Sequence, residues 1–189
     1  MKTNKNSTQK LVLAAILTAL VVILQLMGSF IRFGTFSVSL VLIPIVVGAA
    51  TCGTAVGAWL GFVFGVAVLL SGDATAFLPI DAFGTVITVI LKGTACGLVA
   101  GLVYKLLEKK NKYLAVLVSA IACPVVNTGV FLLGCAVFFM DTITQWAQGS
   151  NIVYYMLVGL VGGNFLFELA FNVILSPVIL RILNIRNKN

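Results

Sequence analysis

FSVSLVLIPIVVGAATCGTAVGAWLGFVFGVAVLLSG, residues 36–72, contains no charged side chain. A helix that crosses a bilayer uses about 20 apolar residues, so this stretch is one oversized crossing or two short ones folded at Thr51-Cys52-Gly53-Thr54. The basic residues around it decide. Lys2, Lys5 and Lys10 precede the first apolar run, Lys105, Lys109, Lys110 and Lys112 form a central group, and Arg181, Arg186 and Lys188 close the sequence. With one crossing, the central lysines fall on the side opposite the amino terminus. With two crossings, all of these Lys and Arg lie on one side, which the positive-inside rule makes cytoplasmic. Arg32 is then the basic residue left outside, where Asp73, Asp81 and Asp141 also sit.

The rest of the chain fits this division. Leu11 to Gly28 carries no charge. Phe83 to Tyr104 is interrupted only by Lys92, Tyr113 to Met140 is uninterrupted, and Ile152 to Leu183 contains Glu168 before Arg181. Asp141 to Asn151 reads as a polar loop. The expectation is an all-α integral membrane protein: one bundle of six transmembrane helices, at about 11–29, 36–52, 54–71, 83–105, 113–140 and 152–181, with both termini cytoplasmic. Lysines before an apolar run also begin a signal peptide, but this run is too long and Gln25-Leu26-Met27-Gly28 offers no small-x-small cleavage site.

Composition sets the same class. The chain is 61% hydrophobic and 9% charged, with a mean hydropathy of +1.16. Soluble domains carry about 25% charged residues, so an ordinary globular protein, a disordered chain and a disulfide-stapled scaffold are excluded. The net charge of +7 lacks the aromatic-interleaved basic surface that nucleic acid requires. There is no histidine, hence no histidine acid-base chemistry or histidine-held metal. Cys52, Cys96, Cys123 and Cys135 have no C-x-x-C spacing and read as small apolar packers. No phosphate-binding loop of the G-x-x-x-x-G-K-[ST] kind is present, and no metal, cofactor or enzymatic activity is expected.

Small residues at spacing four share one helix face and let helices approach closely in lipid. Gly53, Gly57, Gly61 and Gly65 form one such stripe, Gly93, Gly97 and Gly101 a second, and Gly159 and Gly163 a third. Internal packing is the expectation for all of them. Ala15 and Ala19 form a weaker small-xxx-small pair on the first span.

Charged and amide side chains at membrane depth are costly unless partnered or facing a wet cavity, which makes them functional candidates. Lys92, Asn127, Asn164 and Glu168 lie at similar depths on three spans, and Asn172 continues the face of Asn164 and Glu168. Lys92 and Glu168 either neutralise one another, with the asparagines bonding across helices, or form the floor of an outward cavity for a polar solute. Phe30, Arg32, Phe33 and Phe36 of the first outer loop, Phe77 and Asp81 of the second and Trp146 of the third supply its walls. Singly, these aromatics fit an interfacial belt; together they suit a flat ligand, with Arg32 meeting an anion.

The basic amino terminus, Ala15-x-x-x-Ala19, the segment Phe36-Ser-Val-Ser-Leu-Val-Leu-Ile-Pro44 running into a Gly-rich hairpin, and six spans in so short a chain carry a resemblance. The chain resembles the substrate-binding S components of energy-coupling factor (ECF) vitamin transporters. The resemblance implies a six-helix bundle in the bacterial plasma membrane that captures a vitamin-like small molecule and releases it inward by toppling. A separate transmembrane scaffold subunit and two ATP-binding subunits complete such a transporter. By motif, Ala15 and Ala19 are the contacts to the scaffold. By position, Arg32, Asp81, Lys92, Asn127, Asn164 and Glu168 overlap the family's ligand pocket. Two other readings remain at this point: a stand-alone proton-coupled carrier with Glu168 as its membrane carboxylate, and a scaffold or assembly protein without ligand. The substrate is open too. Lys92 and Arg32 suit a carboxylate, Glu168 a cationic or amino-substituted ring, and the loop aromatics a flavin or pterin.

Overall fold

The computed structural model describes residues 2–28, 32–33, 36–37 and 40–188, with side chains over 7–28 and 40–184. Helix α1 is Lys2–Gly28. Arg32–Phe33 (β1) pairs antiparallel with Phe36–Ser37 (β2) in the register Arg32 to Ser37 and Phe33 to Phe36. Helices α2 (Leu42–Cys52) and α3 (Thr54–Leu70) follow, then α4 (Ala82–Leu107), α5 (Lys112–Phe138), α6 (Met140–Trp146), α7 (Ile152–Tyr154) and α8 (Gly162–Lys188). The molecule is a helical bundle, and the strand pair is a small departure from the expected all-α chain.

The stretch quoted at the outset does reverse. Gly53 separates α2 from α3 with φ +106°, a backbone region in which a side chain is strained and glycine is not. Beyond it α3 turns back on α2. A Cβ on Gly57 would lie 2.7 Å from that of Ala49, and one on Gly48 would overlap the Leu60 side chain. Helix α2 begins only at Leu42, later than the expected start at 36, and is buried along most of its length, Ile45 and Val46 completely. A helix apolar all round belongs inside a bundle.

Among the described residues, four helical segments are long and apolar enough to cross a membrane: Ser7–Gly28, Ala82–Leu107, Lys112–Phe138 and Gly162–Asn184. The eleven-residue α2 and seventeen-residue α3 reach only about 16 and 25 Å at 1.5 Å per residue, against about 30 Å of hydrocarbon.

Helices α3 and α4 meet backbone to backbone. Gly57 abuts the Gly97 carbonyl, Gly61 the Gly93 carbonyl, and Gly65 the Val89 carbonyl, while Gly101 abuts Thr54. Glycine is required along this seam because a Cβ at Gly61 or Gly97 would overlap the carbonyl facing it. The third stripe behaves differently. Gly159 and Gly163 are exposed, and around Gly163 nothing lies within 4 Å; those two positions do not pack as expected.

Two further expectations are corrected. The last apolar run is not one continuous α-helix: α7 passes into a π-helical turn over Tyr155–Leu160, and the chain breaks at Val161 before α8. Gly159, Gly162 and Gly163 crowd this point, and glycine weakens a helix interior by about 1 kcal/mol relative to alanine. The Phe165 N–H restarts the helix on the Val161 carbonyl at 2.8 Å. The segment expected as a polar loop contains α6, whose register explains it: Phe139, Ile143 and Ala147 recur every four residues and are buried. Phe139 and Ile143 join Phe77, Cys135, Met156, Leu160 and Val161 in a second apolar cluster, apart from the core that α2 organises with α1, α3, α4, α5 and α8.

Candidate functional site

At the end of the bundle opposite the Lys105 to Lys112 group, a cavity of about 760 Å³, its open mouth included, lies among α1, α3, α4, α5 and α8. Five phenyl rings line it. Phe64 comes from α3, Phe131 from α5, Phe165 from the first turn of α8, and Phe77 and Phe139 from the cluster above. Phe77 is the hub of that cluster: its ring meets Phe139 at 4.8 Å, Trp146 at 5.4 Å and Phe131 at 5.8 Å, each in an edge-on geometry. Trp146 thus backs Phe77 without lining the cavity itself.

Polar groups enter from α1, α4, α5 and α8. From α1, the buried Gln25 donates through Nε2 to Asp73 Oδ2 at 2.5 Å and to Ser71 Oγ at 3.2 Å. The Ser71 hydroxyl lies 3.2 Å from the same carboxylate oxygen. This ties the far end of α1 to the connection between α3 and α4. Helix α4 supplies Thr88 and Lys92, α5 supplies Asn127, and α8 supplies Asn164 and Glu168 one turn apart. Pro124 lies in the turn of α5 before Asn127; lacking an N–H, it leaves the carbonyl four residues earlier without its helical partner.

Lys92 is half-buried, and its Nζ lies 5.2 Å from the centroid of Phe131 and 5.7 Å from that of Phe64. Both are within the range in which a ring face attracts a cation. Among the described residues no salt bridge joins Lys92 to Glu168; the rings hold the ammonium instead. Thr88 Oγ1, Asn127 Oδ1 and Asn164 Oδ1 are buried without a hydrogen-bond partner. Buried polar atoms are almost always satisfied in proteins, and three of those unpartnered among the described residues line this cavity, where a polar molecule can reach them.

Of the residues singled out in the sequence, Lys92, Asn127, Asn164 and Glu168 are brought together here. Asp81 is not. Its carboxylate accepts from the Gly84 N–H at 2.9 Å and caps α4, because a carboxylate just ahead of a helix satisfies one of its free N–H groups. Asp81→Ala is therefore expected to lower stability by about 1 kcal/mol and to leave ligand affinity unchanged, as thermal denaturation and calorimetric titration in detergent will show. The side chain of Arg32 lies outside the described residues, as do those of Phe30, Phe33 and Phe36. Asn172 is not among the lining residues and donates to the Glu168 carbonyl at 2.8 Å. Ala15 and Ala19 sit on the face of α1 turned out of the bundle, opposite the buried Leu17, Val21 and Gln25. Sequence reasoning missed Gln25, Asp73 and Thr88. Gln25 was findable, since an amide in an apolar run is the same signal that marks Asn127.

A family model described as ECF transporter, substrate-specific component, matches residues 9–180. The chain belongs to that family. Comparison with curated proteins gives no match. As an ECF substrate-specific component the chain is a multi-pass membrane protein and the substrate-capturing part of a transporter, which is not an enzymatic role. Its cavity combines five phenyl rings with converging polar and charged groups, the kinds of side chain that fix a ligand's orientation in a small-molecule site.

Proposed function

We propose that this S component binds a vitamin-like small polar molecule in the cavity around Lys92, Asn127, Asn164 and Glu168. It delivers that cargo in concert with a separate transmembrane scaffold and two ATP-binding subunits in a bacterial plasma membrane. The family match over residues 9–180 carries the reading; the orphaned polar atoms on the cavity support it. Arg32 is proposed as a further ligand contact.

The lysine distribution supports six crossings with both termini cytoplasmic. In that topology α2 and α3 cross as short helices, and the cavity faces outward. The outward-turned Ala15 and Ala19 are the proposed contacts to the scaffold, because small side chains allow close helix approach in lipid. Ala15→Trp or Ala19→Trp is expected to abolish co-purification with the scaffold while leaving ligand affinity within about twofold. Equal loss of both properties would assign this face to internal packing.

Reconstitution into proteoliposomes tests the division of labour. Uptake is expected only with scaffold and ATPases present and ATP inside the cytoplasmic compartment. Uptake by this chain alone under a pH gradient would instead establish a proton-coupled carrier using Glu168.

A further inference from the structure

The acids and the donors that line the cavity differ in how far they are already committed. Asp73 accepts from Gln25 and lies within hydrogen-bond distance of the Ser71 hydroxyl, and Glu168 is engaged as well. Among the described residues, Lys92 meets the faces of Phe64 and Phe131 and forms no salt bridge. Thr88, Asn127 and Asn164 each keep a buried oxygen with no partner. Those two asparagines form no side-chain hydrogen bond among the described residues, so their NH2 ends are uncommitted too. Turning an amide over exchanges its ends without changing that count.

An ammonium brings three donors and no acceptor, and each carboxamide brings two donors. The uncommitted set is therefore richer in donors than in acceptors, and it includes the one cation among the described lining residues. Such a set is complementary to an anion rich in acceptor oxygens. With two acids nearby, a single negative charge suits it better than the double charge of a phosphate.

We propose that the cargo carries a carboxylate, which docks on Lys92 between the two phenyl faces and accepts hydrogen bonds from Asn127, Asn164 and Thr88. The proposal rests on the substrate-capture reading and adds the chemical class of the cargo.

Native mass spectrometry of the purified protein identifies the retained molecule, and calorimetric titration follows with matched pairs: nicotinate and nicotinamide, pantothenate and panthenol, biotin and its methyl ester, lipoate and lipoamide. Thiamine serves as the cationic probe. The expected result is a retained carboxylic acid, and at least one acid that binds at least tenfold more tightly than its neutral counterpart. Lys92→Met is expected to weaken that acid on the order of 100-fold, whereas Lys92→Arg keeps it within tenfold. The acid and neutral comparison needs no mutant, so it stands even where Lys92→Met fails to fold. A retained neutral or cationic molecule, tight binding of thiamine, or undiminished acid binding by folded Lys92→Met overturns the carboxylate assignment and leaves the capture role intact. A monodisperse, folded protein that retains nothing and binds no probe overturns the capture role, and the assignment with it.

Discussion

Gly61→Ala is expected to destabilise the folded protein by about 3 kcal/mol or more, the upper range for forcing an extra methyl into a filled interior. The added Cβ would overlap the Gly93 carbonyl. Because the obstacle is backbone, no rotamer change relieves it, and α3 and α4 must separate along their whole seam. Gly97→Ala meets the Gly57 carbonyl in the same way and is expected to behave alike. Gly163→Ala, at an exposed position with nothing within 4 Å, provides the contrast: its stability is expected to be unchanged or slightly raised, since alanine favours the helix. Thermal denaturation in detergent of the three variants checks this. Equal melting temperatures for Gly61→Ala and Gly163→Ala would show that the seam relaxes freely.

Phe77→Ala carries the second large expectation, a loss of about 3 to 5 kcal/mol, typical for removing a buried phenyl ring. Phe77 is 3% exposed and its ring touches Phe131, Phe139 and Trp146. Its removal undoes three aromatic pairs and opens the wall between cavity and exterior at once. Ligand dissociation is therefore expected to accelerate in this variant, as measured by displacement of bound cargo, and Phe77→Leu is expected to restore most of the stability. A Phe77→Ala protein with native melting and native dissociation would remove Phe77 from the wall.

The fold was legible where the signal was chemical and local. The run 36–72 could be divided because only two crossings keep the lysine groups on one side, and the turn expected at Thr51-Cys52-Gly53-Thr54 contains Gly53, where φ is positive. The glycine seam was legible because spacing four on two helices leaves few other arrangements. Lys92, Asn127, Asn164 and Glu168 stood out because polar groups in apolar runs are few. What stayed hidden depended on three-dimensional closure. Asp73 and Asp81 look equivalent in the sequence, yet one lines the cavity with Gln25 and the other caps α4. Helix α6 was masked by its polar outer face, although Phe139, Ile143 and Ala147 already carried the helical period. The interruption at Val161 was invisible to hydropathy, because a π-helical turn is as apolar as the helix it replaces.

The contrast between the α3–α4 seam and that interruption sets where the molecule bends. Glycines in mutual backbone contact have no rotamers to exchange and no slack to take up, so α3 and α4 act as one stiff double rod. Val161 and the turn before it are the opposite: a wall segment outside regular α-helical bonding, directly bordering the cavity. Any bending of the cavity wall is therefore expected at Val161, where regular α-helical bonding is interrupted, rather than along the glycine seam of α3 and α4.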